Sequence, residues 1–216
     1  LSKNKKIKLN YVVNSSSNSK LTELMNFYGS DKGGSNNHHN YSEYYSELFF
    51  NKRKNIKNFL EIGLGTNDVN ILSNMGEKGI PLASVKAWRD YFENANIYGA
   101  DIDKKILKNY ERIKTYFVDQ TDPKTIELLF KNIGISKFDV ILDDGLHDYN
   151  ANICLFENSI KFLSDSGIYI IEDVYYKDKQ RFINYFNNSD YNFSIVDIYH
   201  KKNIVNNCLI LIRNNI

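Results

Sequence analysis

Phe59-Leu60-Glu61-Ile62-Gly63-Leu64-Gly65-Thr66 is an apolar run that ends in two glycines one residue apart. A short apolar run of this kind reads as a buried strand, and the glycines as the turn that closes it. In a doubly wound sheet, ligands bind at the carboxyl ends of the strands, and glycine there lets backbone approach a ligand closely. A dinucleotide fingerprint would place a third glycine at position 68. The chain has Asp68 instead, and helical periodicity resumes only near residues 82–92. Both features argue against a pyrophosphate seated on a helix N-terminus. Glu61, two residues before Gly63, suits a ligand with a positively charged amino-acid end. Taken alone, Gly63 and Gly65 fit a plain chain reversal equally well.

Outward from this stretch, β-rich runs at 58–63, 97–101, 114–118, 138–143 and 167–172 alternate with helical runs. Such alternation implies βαβ units and a mainly parallel sheet. Two further runs, 193–199 and 208–213, are joined only by a loop at 200–207, which predicts an antiparallel pair. One helix is bracketed by its end signals: Asp122 as cap, Pro123 at the first position and Gly134 just past the end. Another is expected over 152–163, with Ile153, Phe156 and Ile160 on one face. Seven strands with a terminal hairpin resemble the class I methyltransferase fold, an α/β doubly wound architecture. On the other side, residues 1–20 are basic from Lys3 to Lys8 and then serine-rich, which reads as a flexible leader. A helix is expected over 21–28 and a loop over 29–34. Tyr41, Tyr44, Tyr45, Leu48 and Phe49 then mark one helical face. The expected organisation is a leader at 1–20, a helical cap at 21–52 and an α/β core at 53–216.

The bulk composition excludes several classes. At 216 residues the chain fits one domain that needs no disulfide or structural metal. The net charge of +2 is too small to argue for nucleic acid. No stretch approaches the roughly 20 apolar residues of a membrane span, and residues 1–10 lack the apolar core of a signal peptide. Two isolated cysteines, Cys154 and Cys208, suit a reducing cytoplasm.

Acidic residues cluster at the expected strand ends. Asp101, at the tip of the second core strand, can accept both hydroxyls of a ribose, since a carboxylate is acceptor-only and can be bidentate. Asp119 and Gln120 follow the third, near where an adenine edge would lie. Asp143-Asp144-Gly145-Leu146-His147 follows the fourth, and Glu172-Asp173 the fifth. Neighbouring strands 4 and 5 would bring Asp144, Glu172 and Asp173 together. Carboxylates in one cleft repel unless they are protonated or neutralised by a cation, and oxygen ligands suit a hard ion such as Mg²⁺. His147, three residues beyond Asp144, is placed to act as a general base near neutral pH. Each element has a plainer reading: a turn, a helix cap or a structural histidine. Their shared position at adjacent strand ends favours a site.

The motifs resemble those of the metal-dependent O-methyltransferases that act on macrolide deoxysugars, of the mycinamicin and macrocin type, and their relatives in bacterial glycan clusters. The matching elements are Tyr28-Gly-Ser-Asp-Lys-Gly33, His39-Asn40-Tyr41, Leu60-Glu-Ile-Gly-Leu-Gly65, Ala87-Trp88-Arg-Asp-Tyr-Phe92, Tyr98-Gly-Ala-Asp-Ile-Asp103, Asp119-Gln120-Thr-Asp122, Asp143-Asp-Gly-Leu-His147 and Ile171-Glu172-Asp173. The resemblance implies S-adenosylmethionine contacts by Glu61, Gly63, Asp101, Asp119 and Asp143, with Gly65 and Gln120 in the same pocket. It implies metal ligation by Asp144, Glu172 and Asp173, with His147 as base. It places Tyr28, Asp31, Lys32, His39 and Tyr41 over the acceptor as a lid. Leu146, where the family carries a small residue, and the absence from 1–52 of the family's extra N-terminal domain point to an acceptor other than a macrolide.

The expected function is methyl transfer from S-adenosylmethionine to a hydroxyl of a sugar or sugar-like acceptor, such as a nucleotide-activated sugar. The setting would be carbohydrate or capsule biosynthesis in the cytoplasm, assisted by Mg²⁺. No nucleic-acid or membrane partner is expected, and a homo-oligomer is compatible. Three alternatives stand beside this reading: a metal-independent N-methyltransferase, a non-catalytic S-adenosylmethionine-binding module, and a nicotinamide-linked oxidoreductase. The missing third glycine and the terminal hairpin disfavour the last.

Overall fold

The computed structural model describes residues 7–11, 19–35 and 39–215. Eight strands form one sheet: β1 (Ile7–Tyr11), β2 (Asn58–Ile62), β3 (Asn96–Asp101), β4 (Ile113–Phe117), β5 (Phe138–Asp143), β6 (Leu163–Ile171), β7 (Asn192–Ile198) and β8 (Cys208–Arg213). Their order is β1-β7-β8-β6-β5-β2-β3-β4, with β8 antiparallel to both β6 and β7. All seven expected strands are present, and the final two pair antiparallel as the short connection predicted. The departure is β1. It falls inside the stretch read as a flexible leader, yet it pairs parallel with β7 along the sheet edge. A basic, polar sequence gives little hint of a strand whose ladder partner lies so far away in the chain.

Six α-helices cover the sheet: α1 (Lys20–Tyr28), α2 (Tyr41–Phe49), α3 (Ala83–Tyr91), α4 (Pro123–Ile133), α5 (Tyr149–Ser159) and α6 (Lys179–Asn187). The Asp122 side chain accepts from Lys124 N and Gly134 closes α4 in a left-handed conformation, as the end signals implied. Helix α6 lay in a region without an assignment, although Phe182 and Phe186 carry its buried face at i, i+4.

Side chains of a strand alternate between the two faces of a sheet. Phe59, Val140, Leu142, Ile168 and Ile170 face α1, α2 and α3, with Met25, Tyr45, Phe49 and Trp88 above them. Leu60, Ile62, Ile141, Tyr169 and Ile171 face α4, α5 and α6, over Phe130, Leu155, Phe156 and Phe182. This alternation decides where the acidic residues at the strand ends can point. The chain leaves β2 toward β3 and β4, then returns to β5 on the other side of β2. That reversal makes the carboxyl ends of β2 and β5 the switch point where a ligand cleft opens in such sheets.

Candidate active site

A cleft of about 910 Å³ opens at this switch point. Its walls include Gly63, Gly65, Asp101, Asp119, Asp144 and His147. Two strand-end contacts hold its floor: Asp144 N donates to Ile62 O at 2.8 Å, and Glu172 N to Asp143 O at 2.9 Å. Gly63 has φ 93°, and a Cβ there would lie 1.9 Å from Asp144 O. Glycine is therefore required where the first strand turns against the acidic strand end. At Gly65, φ 76°, a Cβ would lie 2.2 Å from the end of the Met75 side chain. The long segment 66–82 stands where a dinucleotide fold would start a helix, and α3 begins only at Ala83.

At the β3 end of the cleft, Asp101 Oδ2 accepts from Leu64 N at 2.6 Å and Oδ1 from Asp103 N at 2.8 Å. Burial pushes its carboxyl up, against the pull of those amides. Asp103 accepts from Thr66 Oγ1 at 2.6 Å and caps the turn at Lys105. Asp119 bonds Thr121 and keeps a place in the cleft wall. Gln120 donates to Asp143 Oδ1 at 2.6 Å and accepts from Leu146 N at 2.8 Å, which ties the third strand end to the fourth.

Asp143 corrects an expectation. It follows Leu142 in the alternation, so its side chain lies on the opposite face from Asp144 and is fully buried against α5. Asn152 Nδ2 donates to its Oδ2 at 2.9 Å, and Gln120 and Gly145 N donate to Oδ1. Burial pushes its carboxyl up to about 6. With both oxygens hydrogen-bonded internally, Asp143 braces the turn 144–147 and does not line the cleft.

The same alternation sends Glu61, Asp144 and Glu172 to the α1–α3 face, where they meet one buried cation. Lys32, 2 % exposed, stands 2.5 Å from Asp144 Oδ2, bonds Glu172 Oε2, and lies 3.7 Å from Glu61 Oε1. Burial alone would lower its pKa, but Asp144, Glu172 and Glu61 outweigh burial and raise it. Burial likewise opposes charge on Asp144, yet Lys32 and His147 hold it below the ordinary range. Glu172 is raised, by burial first and then by Asp144 and Asp173. Glu61 is raised to about 8, chiefly by burial. Ser84 donates to its Oε2 at 2.9 Å, while its buried Oε1 has no hydrogen-bond partner. An orphaned buried carboxylate oxygen is costly and fits a site for an added donor such as an ammonium group.

His147 adopts a left-handed backbone, φ 57°, as does Asp173, φ 54°. Its Nε2 lies 3.2 Å from Asp144 Oδ1 and 3.6 Å from Asp173 Oδ2. Burial pulls the imidazole down, but Asp173 and Asp144 more than offset this and raise it to about 9. One ligand atom from each of Asp144, His147 and Asp173 lies within 4.8 Å of the others, a spacing that fits a single cation. Glu172 stands apart from this set, because Lys32 takes one of its oxygens and Tyr45 Oη, at 2.5 Å, the other.

The expected lid is only partly a lid. Asp31 and Lys32 line the cleft on a short turn between Gly29 and Gly34. Tyr28 turns away and donates to Asp90 of α3 at 2.6 Å. Tyr41 is buried and donates to Asp173 Oδ1 at 2.6 Å. His39 is buried too, stacked on Tyr41, with Nδ1 3.2 Å from Asp173 Oδ1 and 3.1 Å from Asn207 Oδ1. Both therefore brace Asp173 from behind. Tyr45, Asn152 and Ser84 were missed. For Tyr45 the signal existed: it follows Tyr41 by four residues on α2, which aims two hydroxyls at the consecutive carboxylates Asp173 and Glu172.

No protein-family model matches the chain. Among curated proteins it is 30% identical over 147 residues to the 8-demethyl-8-alpha-L-rhamnosyl tetracenomycin-C 2'-O-methyltransferase of Streptomyces olivaceus, covering 68% of this chain and 35% of that one. It is 31% identical over 155 residues to the demethylmacrocin O-methyltransferase of Streptomyces fradiae, covering 72% and 36%. The chain thus spans little more than a third of the length of these relatives. Among solved structures, the MycE methyltransferase of the mycinamycin biosynthetic pathway, in complex with Mg, SAH and mycinamycin VI, superposes with a TM-score of 0.60 at 26% identity over 73% of this chain and 40% of that one. Human methyltransferase-like protein 13, bound to SAH, shares the fold alone, with a TM-score of 0.53 at 13% identity over 78% and 75% of the two chains. The fold is that of the class I methyltransferases, and the chain resembles the macrolide-sugar O-methyltransferases.

Proposed function

From the likeness to sugar O-methyltransferases, together with the geometry of the cleft, we infer that the chain transfers a methyl group from S-adenosylmethionine to a hydroxyl of a sugar or sugar-like acceptor. The observation that carries this reading is the contact of Gly63 with Asp144. It sets the glycine turn and the acidic-histidine cluster on one cleft, so a methyl donor and a deprotonated oxygen can meet there.

In this reading Asp101 and Asp119, which line the cleft, would receive the ribose and adenine of the nucleoside, and the unpartnered Glu61 Oε1 behind the cleft wall would accept from the amino-acid ammonium. Asp144 and Asp173 would hold a divalent cation such as Mg²⁺, with the His147 imidazole beside it and not bound to it. A cation there supplies charge stabilisation for an acceptor oxygen as its proton leaves. His147 is the proton acceptor of the set. Asp173 and Asp144 raise its pKa to about 9, so its service as a base requires more of their charge to be met than Lys32 meets at Asp144. Tyr41 and His39 fix Asp173, and Tyr45 and Lys32 fix Glu172. Rate enhancement in such a site comes mainly from alignment and preorganised charge.

A nucleotide-activated sugar is the acceptor we favour, in carbohydrate biosynthesis in the cytoplasm. Cys154 and Cys208 form no disulfide, in keeping with that compartment. Among the described residues no helix is long and apolar enough to cross a membrane. The test is a thermal shift with S-adenosylhomocysteine, followed by transfer of labelled methyl to a panel of nucleotide sugars. At 100 times its dissociation constant the ligand adds about 2.7 kcal/mol of stability. A shift with NAD and none with S-adenosylhomocysteine would end the proposal.

A further inference from the structure

We propose that Lys32 is a tethered cation held between Asp144 and Glu172, beside the Asp144–His147–Asp173 position, so that a divalent ion binds there only in competition with its ammonium group. The inference rests on the reading of the cluster as a metal site and deepens it.

Lys32 comes from outside the α/β core, yet its ammonium sits at the centre of the acidic group. It touches Asp144 and Glu172 and lies 3.7 Å from Glu61. Among the described residues no other Lys or Arg side chain forms an ion pair with these carboxylates. The turn that carries Lys32 is built to place it. Ser30 N donates to Met25 O at 2.8 Å, Gly29 and Gly34 take left-handed conformations, and Gly33 packs so close to Asn26 that a Cβ would lie 2.2 Å from its Oδ1. A buried lysine is unfavourable unless paired, and here the pairing is with the carboxylate whose other oxygen faces His147. Asp144 is therefore shared: Oδ2 serves the ammonium and Oδ1 the candidate metal position. Like charges held on the two oxygens of one carboxylate repel each other strongly at the low effective dielectric of a buried site. A divalent ion on Asp144 thus acts directly against Lys32. Lys32 also lines the cleft, so a displaced ammonium has open space to enter, toward the acceptor.

The test uses Mn²⁺ alone as probe, with the free ion counted by electron paramagnetic resonance. Lys32→Met should bind Mn²⁺ at least tenfold more tightly than the parent chain, and Mn²⁺ should raise its melting temperature by more. Equal or weaker binding by the variant overturns the competition. Should the parent bind Mn²⁺ and the variant match it, the competition fails while the metal reading stands; should neither bind, both fail. A second measurement needs no variant: acetic anhydride labelling of the parent chain, read by peptide mass spectrometry. Lys32 should be protected without metal and modified several-fold faster with Mg²⁺, and unchanged protection would overturn the displacement.

Discussion

A Cβ added to Gly63 would lie 1.9 Å from the carbonyl oxygen of Asp144. The turn after β2 and the turn after β5 are thus in backbone contact, and no side chain fits between them. Gly63→Ala combines this clash with a positive φ, a conformation that costs a non-glycine residue about 1–3 kcal/mol. The expected outcome is a fall in melting temperature of at least about 2–12 °C, given roughly 2–4 °C per kcal/mol in a chain of this size. S-adenosylhomocysteine should also lose its stabilising effect. A variant that melts and binds like the parent would show that the two turns are not pressed together.

Sheet order and cleft position were legible because they follow from long periodic runs and the glycine turn. The facing of individual side chains was legible in principle. From Leu142 inward and Asp143 outward, strict alternation assigns Asp143 to the α5 face and Asp144 to the α1–α3 face. The resemblance to relatives grouped both with the ligand sites, and only the register separates them. Glu172 was read as a metal ligand because carboxylates at adjacent strand ends converge. What local sequence could not show is that Lys32, 140 residues earlier, would reach it. The strand β1 escaped notice for the same reason, since its partner is remote in sequence. Tyr28 and Tyr41 were grouped by motif, yet one faces α3 and the other Asp173, a split set by helix rotation.

His147→Ala removes the proposed proton acceptor and leaves the Asp101 end of the cleft intact. Turnover should fall by about 10²–10⁴-fold, the usual range for loss of a general base. Affinity for S-adenosylhomocysteine, measured by calorimetry, should stay within a factor of about two to three, the ordinary context-dependence of a single contact. Full activity in the variant would remove His147 from the reaction.

Asp144→Asn takes away the charge that both Lys32 and His147 face. Losing one anionic oxygen ligand should lower Mn²⁺ affinity by at least about 10–100-fold, the usual cost of disturbing even a ligand's supporting partner. The His147 ring should titrate below its value of about 9, since one of the carboxylates that raise it is gone. Both are readable without an acceptor, by paramagnetic resonance and by proton NMR of the imidazole. Unaltered Mn²⁺ affinity would place the cation elsewhere.

Glu61→Gln separates the charge of this residue from its shape. Burial raises the Glu61 carboxyl from its ordinary 4.5 to about 8, with Lys32 offsetting part of the rise. Between those values the folded chain keeps a proton that the unfolded chain has released. Stability from this group is thus fully present below about 4.5 and is lost as pH climbs through 8. The ligand-free variant should lose less melting temperature between pH 5 and pH 8 than the parent, because glutamine cannot ionise. Bound S-adenosylhomocysteine reverses the preference, since its ammonium group favours the charged carboxylate at Oε1. The variant should therefore bind it about 10–100-fold more weakly. Parallel melting profiles would show that Glu61 is not held neutral in the free chain, and undiminished affinity would move the amino-acid end of the cofactor away from it.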